Sequence, residues 1–164
     1  MRVDSIEGDG ATFTLDMPFI VADIAPPPPP GEGPLLIVDR NPIARSMLKA
    51  VLEPRAGSVA FAGSLTEAET AIAAGGIVTV LIDEATAKAS GDDLHAALLQ
   101  LVSLAKTAGA RTAILWAAPA EDERSALLAT GIEQIIVKPI AGPALATALY
   151  SSPIKNVSLA SRAA

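Results

Sequence analysis

Five times between residues 35 and 150, a run of four to seven apolar residues alternates with a segment of helical period. This alternation limits the fold more than any other feature. Short unbroken apolar runs suit strands buried on both faces, and the amphipathic segments supply the covering layers. The pattern therefore predicts an α/β domain with a doubly wound parallel sheet. Strands are expected at Leu35–Val38, Ser58–Ala62, Val78–Ile82, Thr112–Trp116 and Gln134–Val137. The first helix starts at the N-cap Asn41 with Pro42 in its first turn, carries Ile43, Met47 and Val51 on one face, and stops before Pro54. The second has the capping box Ser64-x-x-Glu67 and ends at Gly75-Gly76. Leu94, Leu98, Leu101 and Ala105 mark the third, the fourth runs from about Ala120 to Thr130, and the fifth starts near Pro143.

Composition supports this class. Apolar residues make up 51% of the chain and aromatics only 3%, so the core is assembled from Ala, Val, Leu and Ile. With no cysteine there is neither a disulfide nor a thiolate site, and with His95 as the only imidazole a zinc, copper or haem centre lacks ligands. Any metal would be a hard cation held by carboxylates. The net charge of −6, without a lysine or arginine run, argues against nucleic acid or an anionic membrane as the main partner. No apolar run approaches the roughly 18 residues of a membrane span, so no membrane insertion is expected and the chain reads as cytoplasmic.

Residues 26 to 34, PPPPPGEGP, are the stiffest part of a Pro-rich linker at 20–34. Ahead of it, within 1–19, two β-prone segments flank Glu7-Gly8-Asp9-Gly10, which predicts one hairpin. A lone hairpin is marginal in water, so this one is expected to belong to a larger sheet. Residues 151–164 read as a flexible tail or a further linker.

In a doubly wound sheet, ligands bind beyond the C-terminal ends of the strands at the switch point. That rule gathers Asp39 and Arg40, Asp83 and Glu84, Trp116 and Ala117, and Lys138 and Pro139. Carboxylates and a lysine around one small cavity suit a hard cation and a phosphoryl group. Asp39-Arg40-Asn41-Pro42 contains no glycine, so there is no phosphate cradle of the dinucleotide-binding kind.

Residues 35–150 resemble the CheY-like receiver domain of two-component response regulators. The resemblance is carried by VDRNP for the acidic pair and its loop, VLID ending at Asp83, Gly91 eight residues further on, and VKP at 137–139. The spacing from Trp116 to Gly131 fits the fourth strand and helix. The resemblance implies a (βα)5 sheet in the order 2-1-3-4-5, with Asp83 as phosphoacceptor. It also implies Asp39 as a magnesium ligand in an acidic pocket shared with Asp83, and Lys138 as the phosphate-contacting ammonium. The leading hairpin resembles the last two strands of a histidine-kinase ATPase domain, which implies a piece of a hybrid histidine kinase. That family's ATP-binding boxes do not occur in this sequence, so the piece is not expected to be an enzyme by itself.

Three positions depart from the receiver pattern. Arg40 replaces the second acid, Trp116 replaces the Ser or Thr that hydrogen-bonds the phosphoryl oxygen, and Ile135 replaces the aromatic switch residue three before the lysine. Near an effective dielectric of 20, two unit charges about 4 Å apart interact by roughly 4 kcal/mol, so a guanidinium beside the cavity opposes a cation there. Arg40 is expected to pair with Asp39 or Asp83; the other reading is a solvent-facing substitution. Mg²⁺ would then bind weakly, and no other cofactor is expected. Trp116 is either ordinary core or a partly exposed lid. His95 reads as surface, and Asp92 and Asp93 as stabilisers of the third helix's N-terminus. The function expected is that of a pseudo-receiver, a phosphorelay regulatory module that acts by docking. Its partner would be the kinase core or another receiver domain, met through the fourth helix, fifth strand and fifth helix. Two alternatives stay open: a functional receiver phosphorylated on Asp83, and a sensor of a small ligand such as a nucleotide second messenger.

Overall fold

The computed structural model describes residues 2–6, 10–14, 33–91 and 93–150. The expected tail at 151–164, Asp92, and all but the last two residues of the expected linker at 20–34 lie outside these. β1 (Arg2–Ile6) and β2 (Gly10–Thr14) pair antiparallel, Arg2 opposite Thr14 and Ile6 opposite Gly10, forming the expected hairpin.

The rest alternates strand and helix: β3 (Leu35–Val38), α1 (Pro42–Ala56), β4 (Val59–Ala62), α2 (Leu65–Ala73), β5 (Thr79–Asp83), α3 (Glu84–Lys88), α4 (Leu94–Thr107), β6 (Arg111–Ala117), α5 (Glu121–Ala129), β7 (Gln134–Lys138) and α6 (Gly142–Tyr150). The strands from β3 onward make one parallel sheet in the order β4-β3-β5-β6-β7, which is 2-1-3-4-5 counted along this sheet's own strands. β3 lies inside the sheet and is buried at all four positions, as its unbroken LLIV demands. Alternate residues feed two cores. Leu36, Val38, Val80, Ile82, Ile114 and Trp116 meet α2, α4 and α5 on one face; Leu35, Ile37, Leu81, Ala113 and Leu115 meet α1 and α6 on the other.

Three expectations about the helices need correction. α1 does not stop before Pro54 but runs to Ala56. Leu52 and Ala56 are buried against the sheet, and Arg55 donates to the Ala146 carbonyl at 2.9 Å while lying 5.0 Å from the Tyr150 ring centroid. These tertiary contacts outweigh the amide that proline lacks. The face of α1 that meets the core is Leu48, Leu52 and Ala56 with Val51 half-buried beside it as expected, while Ile43 and Met47 are 71% and 67% exposed. The two stripes lie one residue, about 100°, apart on the helix, so periodicity alone admits both. Finally, α3 has no counterpart among the expected elements. Its signals are short: Asp83 as N-cap, accepting the Thr86 N–H at 3.2 Å, and a Glu84–Lys88 pair one turn apart at 2.7 Å. Other caps match expectation. Asn41 accepts from Ile43 and Ala44, Asp93 from Ala96, and Ser64 from Glu67, although the Glu67 carboxylate returns to the Gly63 N–H.

Candidate functional site

β3 and β5 are neighbours with Val38 opposite Ile82, so the chain leaves both strands side by side and brings Asp39 next to Asp83. β7 ends at Lys138, whose Nζ lies 3.0 Å from Asp83 Oδ1 and 3.6 Å from Glu84 Oε2. The carboxylates are positioned by local hydrogen bonds. Asp39 Oδ1 accepts the Asn41 N–H at 2.7 Å, and Asp83 Oδ2 accepts the Thr86 N–H while capping α3. Thr86 is buried and its Oγ1 accepts the Arg40 N–H at 2.9 Å, which ties the turn after β3 to α3.

Glu84, one residue beyond Asp83, reaches across to β6. Its Oε2 accepts the Ala117 N–H at 2.7 Å, and its Oε1 accepts Lys88 Nζ. Ala118, next in the chain, has φ of 39°, a region that residues with a Cβ seldom adopt.

Protonation follows these surroundings. Asp39 is only 5% exposed, and its pKa is raised: burial and the nearby Asp83 charge outweigh the Asn41 hydrogen bond and the Arg45 and Lys138 charges. For Glu84, burial alone would raise the pKa, but the hydrogen bonds from Lys88 and the Ala117 N–H, with the Lys88 and Lys138 charges, prevail and lower it. The two carboxylates thus act oppositely on stability. With its folded pKa above the ordinary 3.8, a charged Asp39 weakens the fold at neutral pH, an effect that disappears as pH falls through the folded pKa toward 3.8 and below. Asp39→Asn keeps an acceptor for the Asn41 N–H. This variant is expected to melt higher than the native protein at pH 7, with the difference shrinking at acid pH. Thermal melts across that range check this, and a lower melting temperature for Asp39→Asn at pH 7 contradicts it.

The altered positions occupy different places. Arg40 is exposed, and among the described residues it makes no ion pair with Asp39 or Asp83, which corrects the expected salt bridge; the solvent-facing reading holds. Its backbone N–H is committed to Thr86, and the arginine charge felt by Asp39 comes from Arg45, a residue the sequence did not single out. Trp116 is 1% exposed and belongs to the core, not to a lid. Lys88 Nζ lies 4.6 Å from its ring centroid. Ile135, on β7 opposite Ile114, is half-buried against the same core. His95 is exposed.

Beside the carboxylates a groove of about 390 Å³ runs along α1 and the start of α6, walled by Met47, Leu48, Leu115, Ile140 and Leu145. The donors here do not fit a hard divalent cation. Among the described residues no three metal-binding side chains converge, Asp39 and Asp83 are both held by donors of the chain, and the cations Lys138 and Arg45 act on Asp39 beside the Asp83 charge.

No protein-family model matches the sequence, and no curated protein does. Among solved structures, the chain is similar to one from the Saccharomyces cerevisiae co-crystal of the histidine phosphotransfer protein Ypd1 with the receiver domain of the response regulator Ssk1. Identity is 22%, with 71% of this chain and 85% of that chain covered and a TM-score of 0.59. A Burkholderia pseudomallei response regulator, crystallised with a phosphorylated aspartate, calcium and citrate, matches at 20% identity, 72% and 66% coverage and a TM-score of 0.60. A CheY-like receiver domain from Methanospirillum hungatei matches at 20% identity, 68% and 86% coverage and a TM-score of 0.58. The likeness establishes the receiver-type fold.

Proposed function

We propose that residues 35–150 form a receiver-type regulatory module of two-component signalling, a pseudo-receiver whose phosphoryl site is closed and which acts by docking. The observation that carries this reading is the engagement of Asp83: Lys138 holds one of its oxygens at 3.0 Å and the Thr86 N–H holds the other at 3.2 Å. Arg40, where a second acid would help hold a cation, adds to it. The partner is the kinase core or another receiver domain, and the docking face is α5, β7 and α6, where Leu128 and Val137 are exposed. A receiver domain co-crystallised with a phosphotransfer protein is among the similar structures, which supports docking as the mode of action. The hairpin ahead of a proline spacer supports a place behind the ATPase domain of a cytoplasmic hybrid histidine kinase.

With acetyl phosphate and Mg²⁺ the protein is expected to keep its mass. Beryllofluoride with Mg²⁺ is expected to leave the NMR resonances around Asp83 unmoved. A stable, metal-dependent adduct on Asp83 overturns the closed-site reading.

The second reading, phosphoryl acceptance at Asp83, is favoured by the position of Lys138, which would contact a phosphoryl group there. Arg40→Asp separates the two. If the native site is closed, the variant gains Mg²⁺ binding measurable by calorimetry where the native protein has none; equal binding by both favours the working receiver. A nucleotide sensor is disfavoured by charge, because Asp39 and Asp83 line the groove against the single ammonium of Lys138.

A further inference from the structure

A basic segment follows α6 in a chain whose net charge is −6. Residues 151–164, SSPIKNVSLASRAA, hold Lys155, Arg162 and the apolar Ile154, Val157 and Leu159, and no acid. They lie outside the described residues and leave from Tyr150, the end of the helix whose Leu145 walls the groove beside the carboxylates. The groove has the complementary character. Met47 and Leu48 of α1 face Leu145 across it, Met47 largely exposed, and Asp39 and Asp83 are part of its lining. Lys138 is engaged by Asp83 and Glu84, whereas Asp39, only 5% exposed, is in no ion pair among the described residues. An apolar trough beside a buried acid suits a segment that carries cations among aliphatic side chains.

Reach permits the contact. α6 covers about 12 Å from Gly142 to Tyr150 at 1.5 Å per residue. An extended chain gains about 3.3 Å per residue, so residues 154–159 lie about 13 to 30 Å of chain beyond Tyr150 and can return to the start of α6. The other long stretch outside the described residues, 15–32, is a poor match. It holds Asp16, Asp23 and Glu32 with no cation, and it feeds the start of β3, the end of the sheet away from the groove.

We propose that residues 154–162 turn back along α6 and occupy the groove between α1 and the start of α6, aliphatic side chains against Met47 and Leu145 and cations toward Asp39 and Asp83. The segment belongs to the same chain, so its effective concentration at the groove is on the order of millimolar, and modest contacts hold it. It covers the approach to Asp83 along α1, and a partner using that approach has to displace it. This goes beyond the closed-site reading and does not rest on it.

The test uses the absence of cysteine from the chain. Ser158→Cys gives one site for a nitroxide on the full nitrogen-15-labelled protein, and amide intensities are compared before and after reduction of the label with ascorbate. The nitroxide is expected to weaken the amides of Ala44, Leu48 and Ile140 while leaving those of Val59 and Leu99 in place. Adding Lys155→Glu and Arg162→Glu is expected to bring the groove amides back to the intensity of Leu99. None of these substitutions touches a described residue, so a fold defect does not confuse the outcome. In a mixture of nitroxide-bearing chains without nitrogen-15 and labelled chains without nitroxide, the groove amides are expected to stay at full strength. The proposal is overturned if weakening is even over the domain, if it survives the double charge reversal, or if it appears in the mixture, which would assign the groove to a second copy. No phosphoryl donor is present, so each of these outcomes leaves the closed-site reading to its own experiment.

Discussion

Trp116→Thr is expected to lower the unfolding free energy by about 3–5 kcal/mol, the range for emptying a buried aromatic site. Threonine is what the receiver resemblance implies at this position, so the substitution looks like a restoration, yet the core says otherwise. The indole is among the largest fully buried side chains, packed on the face that also holds Val80, Ile82 and Ile114. Threonine would leave a void and add a hydroxyl to an apolar surrounding. The loss is a large share of the roughly 5–15 kcal/mol that holds a typical domain. Trp116→Phe should lose far less, because the indole Nε1 has no hydrogen-bond partner among the described residues, and a phenyl ring keeps the stacking surface beneath Lys88. Urea unfolding of the three proteins checks the order native, Phe, Thr. A midpoint for Trp116→Thr equal to the native one rules out the core role.

Lys138→Met is expected to cost about 1–2 kcal/mol at neutral pH, less than the roughly 3–5 kcal/mol for breaking a fully buried pair, because the ammonium is a third exposed. Methionine preserves the stem and removes the charge. Asp83 and Glu84 then lose a shared cation, and the repulsion between Asp39 and Asp83 is no longer offset. The loss should depend on pH with a definite sign. Glu84 has a lowered pKa, so the stability it contributes is present above its ordinary value of 4.5 and disappears as pH falls through the folded pKa. Native and variant stabilities should therefore converge in acid. A difference that stays constant from pH 7 down to pH 3 would show that lost packing, rather than lost charge, explains the effect.

The sheet was legible because its signal is long and redundant. Five apolar runs with capped helices between them leave little choice of class, and strand order then follows from the resemblance. Site placement was legible for the same reason, since Asp39, Asp83 and Lys138 stand at the ends of strands whose limits the pattern already marks. What escaped depends on choices among near-equal alternatives. The stripe of Ile43, Met47 and Val51 and the stripe of Leu48, Leu52 and Ala56 differ by one helical position, and the packing of α1 on the sheet and on α6 decides between them. Trp116 shares its strand face with Ile114, which the pleat reveals, but whether that face or the one bearing Leu115 opens on the carboxylates is a tertiary fact. Arg40 has a long side chain with several comparable rotamers, so attraction toward two nearby acids did not settle where it points. The roles of Glu84 and Thr86 lay hidden in a five-residue helix, too short to leave a periodic trace.

Asp83 serves the domain twice, as the cap of α3 and as the partner of Lys138. Chemistry at this carboxylate and folding of the segment after it are therefore one coupled equilibrium. Esterifying either oxygen releases a donor that the folded chain was using, and the free energy of that release opposes the modification. By reciprocity, whatever tightens α3 makes the acid harder to modify, and whatever loosens α3 makes it more reactive. On the closed-site proposal, a domain arranged in this way is silent while keeping its acid, because silence requires only that the acid be occupied in holding the structure together.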